Sequence, residues 1–174
     1  QRLSALVFAE ASKHIPLTCI PVETPLTGTT GHSFARPVVL VPILRAGLGM
    51  VDGILSLVPG AVVAHIGIAR DEHTARPHSY YAKLPQVLSA GEVFLLDPML
   101  ATGGSAIEAA SQLKSAGATR ITLVGIIAAP EGITAFQSVH PDIQIYTCAV
   151  DERLNDRSYI VPGLGDAGDR YFGT

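Results

Sequence analysis

Val93-Phe94-Leu95-Leu96-Asp97-Pro98-Met99-Leu100-Ala101-Thr102-Gly103-Gly104-Ser105 is the stretch that sets the architecture. Four apolar residues run into an acid and a proline, the pattern of a central parallel strand buried on both faces. From Ala101 to Ser105 there is little side-chain bulk, so the backbone N–H groups can approach a ligand closely. The helix predicted over 105–116 aims the positive end of its dipole at the same point. A phosphate fits there, with Asp97 beside it to take sugar hydroxyls or to stand near a metal. The plainer alternative is a strand-to-helix turn with an ordinary cap, since small residues are common in such turns.

The surrounding chain repeats the alternation of strand and helix. Strands are predicted over 38–44, 61–69, 93–96, 121–128 and 143–150, with helices over 48–58, 105–116 and 131–139. Gly117 closes the second of these helices. This order means an α/β fold, a parallel sheet with right-handed crossovers and helices on both faces. Before it, Leu3, Leu6, Val7 and Ala11 stand at helical spacing. Residues 17–36 then turn to Thr, Val, Pro and Gly, which predicts a β-hairpin arm with its turn in the cluster Thr27 to Gly31. Such an edge suits packing on a second subunit, as a homodimer or higher homo-oligomer. Residues 71–86 are polar, hold Pro77 and Pro85, and show no period, so a long functional loop is expected there. The organisation is one domain: helix and arm over 1–36, α/β core over 37–150, and a C-terminal segment over 151–174.

Composition narrows the class. A chain of 174 residues, 48% hydrophobic and 16% charged, can bury a full core. Its net charge of −3, without a Lys/Arg run, disfavours nucleic acid or an anionic membrane as partner. Arg45 and Asp52 interrupt the longest apolar stretch, so no membrane helix is expected. Cys19 and Cys148 are far apart and outside any metal or redox spacing, which predicts two buried thiols in a reducing, cytoplasmic compartment. The start, Gln1-Arg2-Leu3, has no signal-peptide pattern and no initiating Met, so the natural chain is expected to extend further upstream.

Ligands of open parallel sheets bind beyond the carboxyl ends of the strands. Three strands end there in polar signals: at Arg45-Ala46-Gly47, at Arg70-Asp71-Glu72, and at Asp97 with its glycine loop. One such arginine alone reads as a solvated surface residue. Two arginines with a phosphate-type loop point to a sugar carrying several phosphates, because guanidinium forks match phosphate oxygens. There is no Gly-x-x-x-x-Gly-Lys motif. Gly163-Leu164-Gly165-Asp166-Ala167-Gly168 imitates a dinucleotide fingerprint, but only six residues follow and no helix is expected after it. With Tyr159-Ile160-Val161-Pro162 before it and Tyr171-Phe172 after it, a packed loop is expected, whose backbone groups can read the edge of a flat heterocycle. The six histidines have no ligand spacing, and Asp71-Glu72 and Asp151-Glu152 read as solvated turn residues. Nothing points to covalent catalysis.

Four motifs in order resemble the type I phosphoribosyltransferase family, and more narrowly its uracil branch. They are Pro42-Ile43-Leu44-Arg45-Ala46-Gly47-Leu48-Gly49, then Asp97 to Ser105, Ala128-Ala129-Pro130-Glu131-Gly132, and Tyr159 to Gly173 with Pro-Gly-Leu-Gly-Asp-Ala-Gly-Asp. The likeness runs from Val41 to Thr174 and is loose over 1–36. It implies the conversion of uracil and 5-phosphoribosyl 1-diphosphate to UMP and diphosphate, with Mg²⁺ held mainly by substrate and water rather than by direct protein ligands.

The resemblance also implies roles by position. Arg45, Arg70, Asp97, Pro98, Met99, Leu100, Ala101, Thr102, Gly103, Gly104, Ser105 and Asp166 would bind the phosphoribosyl donor. Ile160, Gly165, Asp166 and Ala167 would bind uracil, and Arg45, Arg70 and Asp166 would carry catalysis. Residues 71–84 would cover the site. Pro98 stands where relatives outside this branch have a second acid, which leaves fewer metal ligands. Some family members are activated by GTP, and no residue here argues for or against it. Two rivals remain at this point: a regulator that senses the donor without chemistry, and transfer to a different base.

Overall fold

The computed structural model describes residues 1–70 and 77–174, the side chains of residues 70 and 77 excepted. Helix α1 (Arg2–Ala11) buries Ser4, Val7, Phe8 and Ala11, a stripe at i, i+3, i+4 and i+7. A 3₁₀ turn (Ser12–His14) leads into strands β1 (Leu17–Glu23) and β2 (Gly28–Phe34), which pair antiparallel with Leu17 opposite Phe34. The arm is therefore present, but its turn lies over 24–27. Thr24 Oγ1 accepts from the N–H groups of Leu26 and Thr27, and Gly28 to Gly31 belong to β2. The glycines of that cluster serve cross-strand contact: a Cβ on Gly31 would lie 2.7 Å from Val22 Cγ2.

The core comprises β3 (Val38–Leu44), α2 (Leu48–Leu55), β4 (Val62–Val63), β5 (His65–Arg70), β6 (Pro77–Lys83) and, after a 3₁₀ turn over 86–89, β7 (Glu92–Leu96). It continues through β8 (Met99–Leu100), α3 (Gly104–Ser115), β9 (Ile121–Val124), β10 (Ile127–Ala128), α4 (Pro130–Val139), β11 (Gln144–Tyr146) and β12 (Ala149–Val150). The central sheet runs β11-β9-β7-β3-β5-β6, with β4 also on β3. Its pairs are parallel except β5 with β6. Residues 77–83, expected in a loop, thus form an antiparallel edge strand. Its sequence is polar and exposed where described, so no alternation announces it, and Pro77 takes the first position, where no ladder N–H is needed.

Alternate residues of one strand feed opposite layers. Val39, Val41, Ile43, Val93 and Leu95 face Ala106, Ala109, Ala110 and Leu113 of α3 and Phe136 of α4. Val38, Leu40, Phe94 and Leu96 face Val7, Phe8 and Ala11 of α1 and Met50, Val51 and Ile54 of α2. The Phe8 and Phe94 rings meet edge to face at 4.8 Å. Burial on both sides is why 38–44 and 93–96 read as unbroken apolar runs.

The predicted strands 121–128 and 143–150 each break in two. Their second halves, β10 and β12, join β8 in a small parallel sheet, β12-β10-β8. The tail follows as β13 (Arg153–Leu154) antiparallel to β14 (Ile160–Val161), then helix α5 (Ala167–Phe172). A helix therefore does form here: it starts inside the glycine motif, at Ala167, and runs to Phe172, with Asp166 as its cap. Cys19 and Cys148 are both exposed, not buried: Cys19 lies on the arm and Cys148 between β11 and β12. His140 is buried, its Nε2 3.2 Å from Ser111 Oγ and 3.1 Å from the Ile107 carbonyl. No helix among the described residues is long and apolar enough to cross a membrane.

Candidate active site

The loop after β7 is a shaped backbone with few degrees of freedom left. Asp97 Oδ1 accepts from the Met99 N–H at 3.2 Å, an Asx-type turn that starts the loop. Met99 and Leu100 then pair with Ile127 and Ala128 as the edge of the small sheet. Gly103 takes φ +83°, which an L side chain resists, and places the first turn of α3 at the loop's end. From the other side Gly132 of α4 packs against the loop: a Cβ there would sit 2.2 Å from the Ala101 carbonyl oxygen. The Ala128-to-Gly132 motif therefore supports the loop from outside.

This loop forms one wall of a cleft of about 400 Å³ at the carboxyl edge of the sheet. A second wall is the turn after β3, from Leu44 to Ala46. The third is the C-terminal segment, with Tyr159, Ile160 and Gly165 to Asp169. Three side-chain contacts hold that segment: Asp151 Oδ2 accepts from Gly163 N–H at 2.9 Å, Glu131 Oε1 from Leu154 N–H at 2.9 Å, and Asp166 Oδ1 from Asp169 N–H at 2.9 Å. The last is an N-cap on α5. Gly168 lies beside the β3 turn: a Cβ on it would stand 3.8 Å from Ala46 Cβ, an ordinary contact, and 3.1 Å from Asp166 Oδ1.

Charges around the cleft are exposed and specific. Arg45 Nη2 lies 3.2 Å from Asp169 Oδ1, and its guanidinium is 5.8 Å from the centre of the Phe172 ring. The hydrogen bond from Leu154 N–H, the largest influence on Glu131, holds that carboxyl below the ordinary glutamate range. Ser158, in the left-handed region at φ +63°, lines the cleft, and Asn155 Oδ1 accepts from Arg157 and Tyr159 N–H on either side of it.

Every sequence-predicted residue with a described side chain lines this one cleft: Arg45, Asp97 to Ser105, Ile160, Gly165, Asp166 and Ala167. The Arg70 side chain and residues 71–76 of the expected cover lie outside the described residues. Sequence reasoning missed Asp169 and Phe172 at Arg45, and Arg157 to Tyr159 in the lining. It also read Asp151 as a solvated turn residue, whereas its carboxylate is half-buried and fastens Gly163. For Asp169 a signal existed: an Asp three residues after Asp166, at the start of a capped helix.

The model of the uracil phosphoribosyltransferase family matches residues 1–174. The uracil phosphoribosyltransferase of Ligilactobacillus salivarius is 55% identical over 173 residues, 99% of this chain and 83% of that protein. The chain belongs to the uracil phosphoribosyltransferase family. The uracil phosphoribosyltransferase of Enterococcus faecalis is 53% identical with the same coverage. A solved structure of an Aquifex aeolicus protein superposes with a TM-score of 0.94 at 40% identity, covering 99% of this chain and 83% of that one. The adenine phosphoribosyltransferase of Thermoanaerobacter pseudethanolicus superposes at a TM-score of 0.56 and 12% identity, over 84% of this chain and 78% of that one. At that distance it shares the fold alone. Uracil phosphoribosyltransferases are pentosyltransferases of pyrimidine salvage, which form UMP.

Proposed function

We propose that the cleft between the β7–α3 loop and the C-terminal segment joins uracil to the 5-phosphoribosyl group and releases diphosphate. The observation that carries this is the meeting of a glycine-bearing helix N-terminus, Arg45 and the Gly165–Ala167 backbone in one cavity. Thr102 to Ser105 take the 5-phosphate on backbone N–H groups and hydroxyls at the start of α3. Asp97 faces the ribose hydroxyls. Arg45, joined by Arg70 on the family's motif, stabilises the charge that builds on the departing diphosphate. Ile160 and the backbone of Gly165 and Ala167 read uracil, and Asp166 stands between base and ribose. As the bond to diphosphate lengthens, positive charge grows on the ribose ring, and the uracil nitrogen attacks from the opposite face, releasing its proton to solvent as the new C–N bond forms. The protein's contribution is alignment and preorganised charge.

The site suits Mg²⁺ held through the donor. Asp97 and Asp166 offer hard carboxylate oxygens at the cleft, and among the described residues no group of three His, Cys, Asp or Glu forms a dedicated cage. When bound, Mg²⁺ neutralises diphosphate charge. The exposed apolar residues Leu17, Ile20 and Val22 on the β1–β2 arm support a homo-oligomer built on that arm, which sedimentation tests.

Incubation with 5-phosphoribosyl 1-diphosphate, Mg²⁺ and each nucleobase in turn tests the assignment. Diphosphate release with uracil alone is expected. Release with another base instead, or donor binding without release, overturns it. Repeating the assay with GTP tests whether the effector of some family members acts here.

A further inference from the structure

The C-terminal helix reaches back to the strand-end turn that carries Arg45, and the two are joined by more than proximity. A Cβ on Gly168 would stand in ordinary contact with Ala46, 3.8 Å from its Cβ. The Tyr171 ring lies so close to Gly49 that a Cβ there would be 3.1 Å from it. Between these contacts Arg45 Nη2 meets Asp169 Oδ1 at 3.2 Å, and Thr174 Oγ1 donates to the same oxygen at 3.2 Å. The Asp169 backbone N–H is committed separately, to Asp166 Oδ1.

We propose that Asp169 is a positioning residue for the reaction, holding the Arg45 guanidinium at the cleft mouth before the donor arrives. This rests on the function proposed above. Arg45 is more than half exposed, at 56%, and an unrestrained arginine there samples many rotamers. An exposed ion pair contributes little to stability, so the geometry has its effect elsewhere. Asp169 engages one nitrogen, and the guanidinium's other N–H donors stay available for diphosphate oxygens. Phe172 lies within cation–π range of the same group. Fixing this side chain in advance removes an ordering cost from donor binding.

The two roles of residue 169 are chemically separable, which makes the test clean. Asp169→Ala removes the carboxylate yet keeps the backbone N–H that Asp166 accepts from. Donor affinity, read by calorimetry with 5-phosphoribosyl 1-diphosphate and Mg²⁺, is expected to weaken about two- to tenfold. The uracil KM and the melting temperature should stay near wild type. Asp169→Asn retains an oxygen acceptor for Nη2 and should recover part of the loss. In an Arg45→Ala background, adding Asp169→Ala should change donor affinity by less than about twofold, because the partner is already gone. Unchanged donor affinity in Asp169→Ala, or an equal loss added in the Arg45→Ala background, overturns the proposal. So does a matching rise in uracil KM, which would make the residue a structural part of the base loop. A wild-type protein that binds the donor but releases no diphosphate with uracil would instead strike the functional reading itself.

Discussion

Gly132 offers the sharpest test of how the β7–α3 loop is held. It contributes no chemistry, and only its place in the Ala128-to-Gly132 motif marks it as part of a site. Replacing it with alanine adds one methyl group, placed 2.2 Å from the Ala101 carbonyl oxygen and 2.8 Å from that of Leu100. Ordinary contact begins near 3.4 Å, so α4 and the loop must part by about 1.2 Å. Neither neighbour is a flexible side-chain tip. Both are backbone carbonyls of a loop fixed by its pairing with β10 and by the φ of +83° at Gly103. Helix propensity works the other way, since alanine in place of glycine gains up to about 1 kcal/mol in a helix interior. Overpacking a tight site costs about 1–3 kcal/mol, so the clash prevails and a net loss of stability is expected.

The larger effect falls on catalysis. A misplacement of about 1 Å at a reacting centre costs on the order of 100-fold in rate, roughly 2.7 kcal/mol of barrier. Gly132→Ala should therefore remain folded by circular dichroism, melt lower, and lose about two orders of magnitude in kcat/KM for the donor. Gly60→Ala is the matched control, because a Cβ there meets nothing within 4 Å. If Gly132→Ala keeps kcat/KM within threefold of wild type, the loop is not held as described and the reasoning fails.

Three further outcomes follow from the site. Arg45→Ala should lower kcat/KM for the donor by one to two orders of magnitude, from loss of charged hydrogen bonds at about 1.5–3 kcal/mol; unchanged kinetics would remove it from the diphosphate. Asp166→Asn should keep α5, since Asn caps about as well as Asp, and should still lose activity; a fully active variant would take the carboxylate out of the mechanism. Glu131 has its pKa depressed in the folded state, so its contribution is present above the ordinary glutamate range and disappears as pH falls through the lower folded value. Glu131→Gln should flatten that part of the acid stability profile, and identical acid profiles for the two proteins would refute its role.

Much of this arrangement was legible in the sequence, for physical reasons that also explain the failures. Residues 38–44 and 93–96 are buried on both faces, so their apolar runs announce central strands. The small residues of 101–105 announced a backbone able to meet a ligand. What stayed hidden depends on partners distant in sequence. Strand β6 is exposed and polar, and pairing with β5 defines it rather than any period of its own. The split of 121–128 comes just after Gly125, whose N–H still donates to the Tyr146 carbonyl of β11, because the N–H groups of Ile126 and Ile127 turn to the Pro98 carbonyl. Arg45 and Asp169 lie 124 positions apart, beyond the reach of any local pattern. Helix α5 was missed because its length looked insufficient, although the Asp166–Asp169 spacing carries the cap that stabilises it.

The two halves of the site are held by forces of different kinds. The β7–α3 loop is locked by backbone: a parallel pairing at Met99–Leu100, a left-handed glycine, and a helix pressed against two carbonyls. Disturbing any of these moves buried atoms and costs stability together with rate. The C-terminal segment is fastened chiefly by side-chain acceptors at or near the surface, from Asp151, Glu131 and Asp166. It can rearrange locally without unfolding the sheet, because the core layers against β3 and β7 contain none of its residues. Substitutions in the segment should therefore change how the base is read far more than how stably the molecule folds, while substitutions around Gly103 and Gly132 affect both. The Arg45–Asp169 contact lies on the seam between these regimes, an exposed pair that spans from the rigid half to the adaptable one.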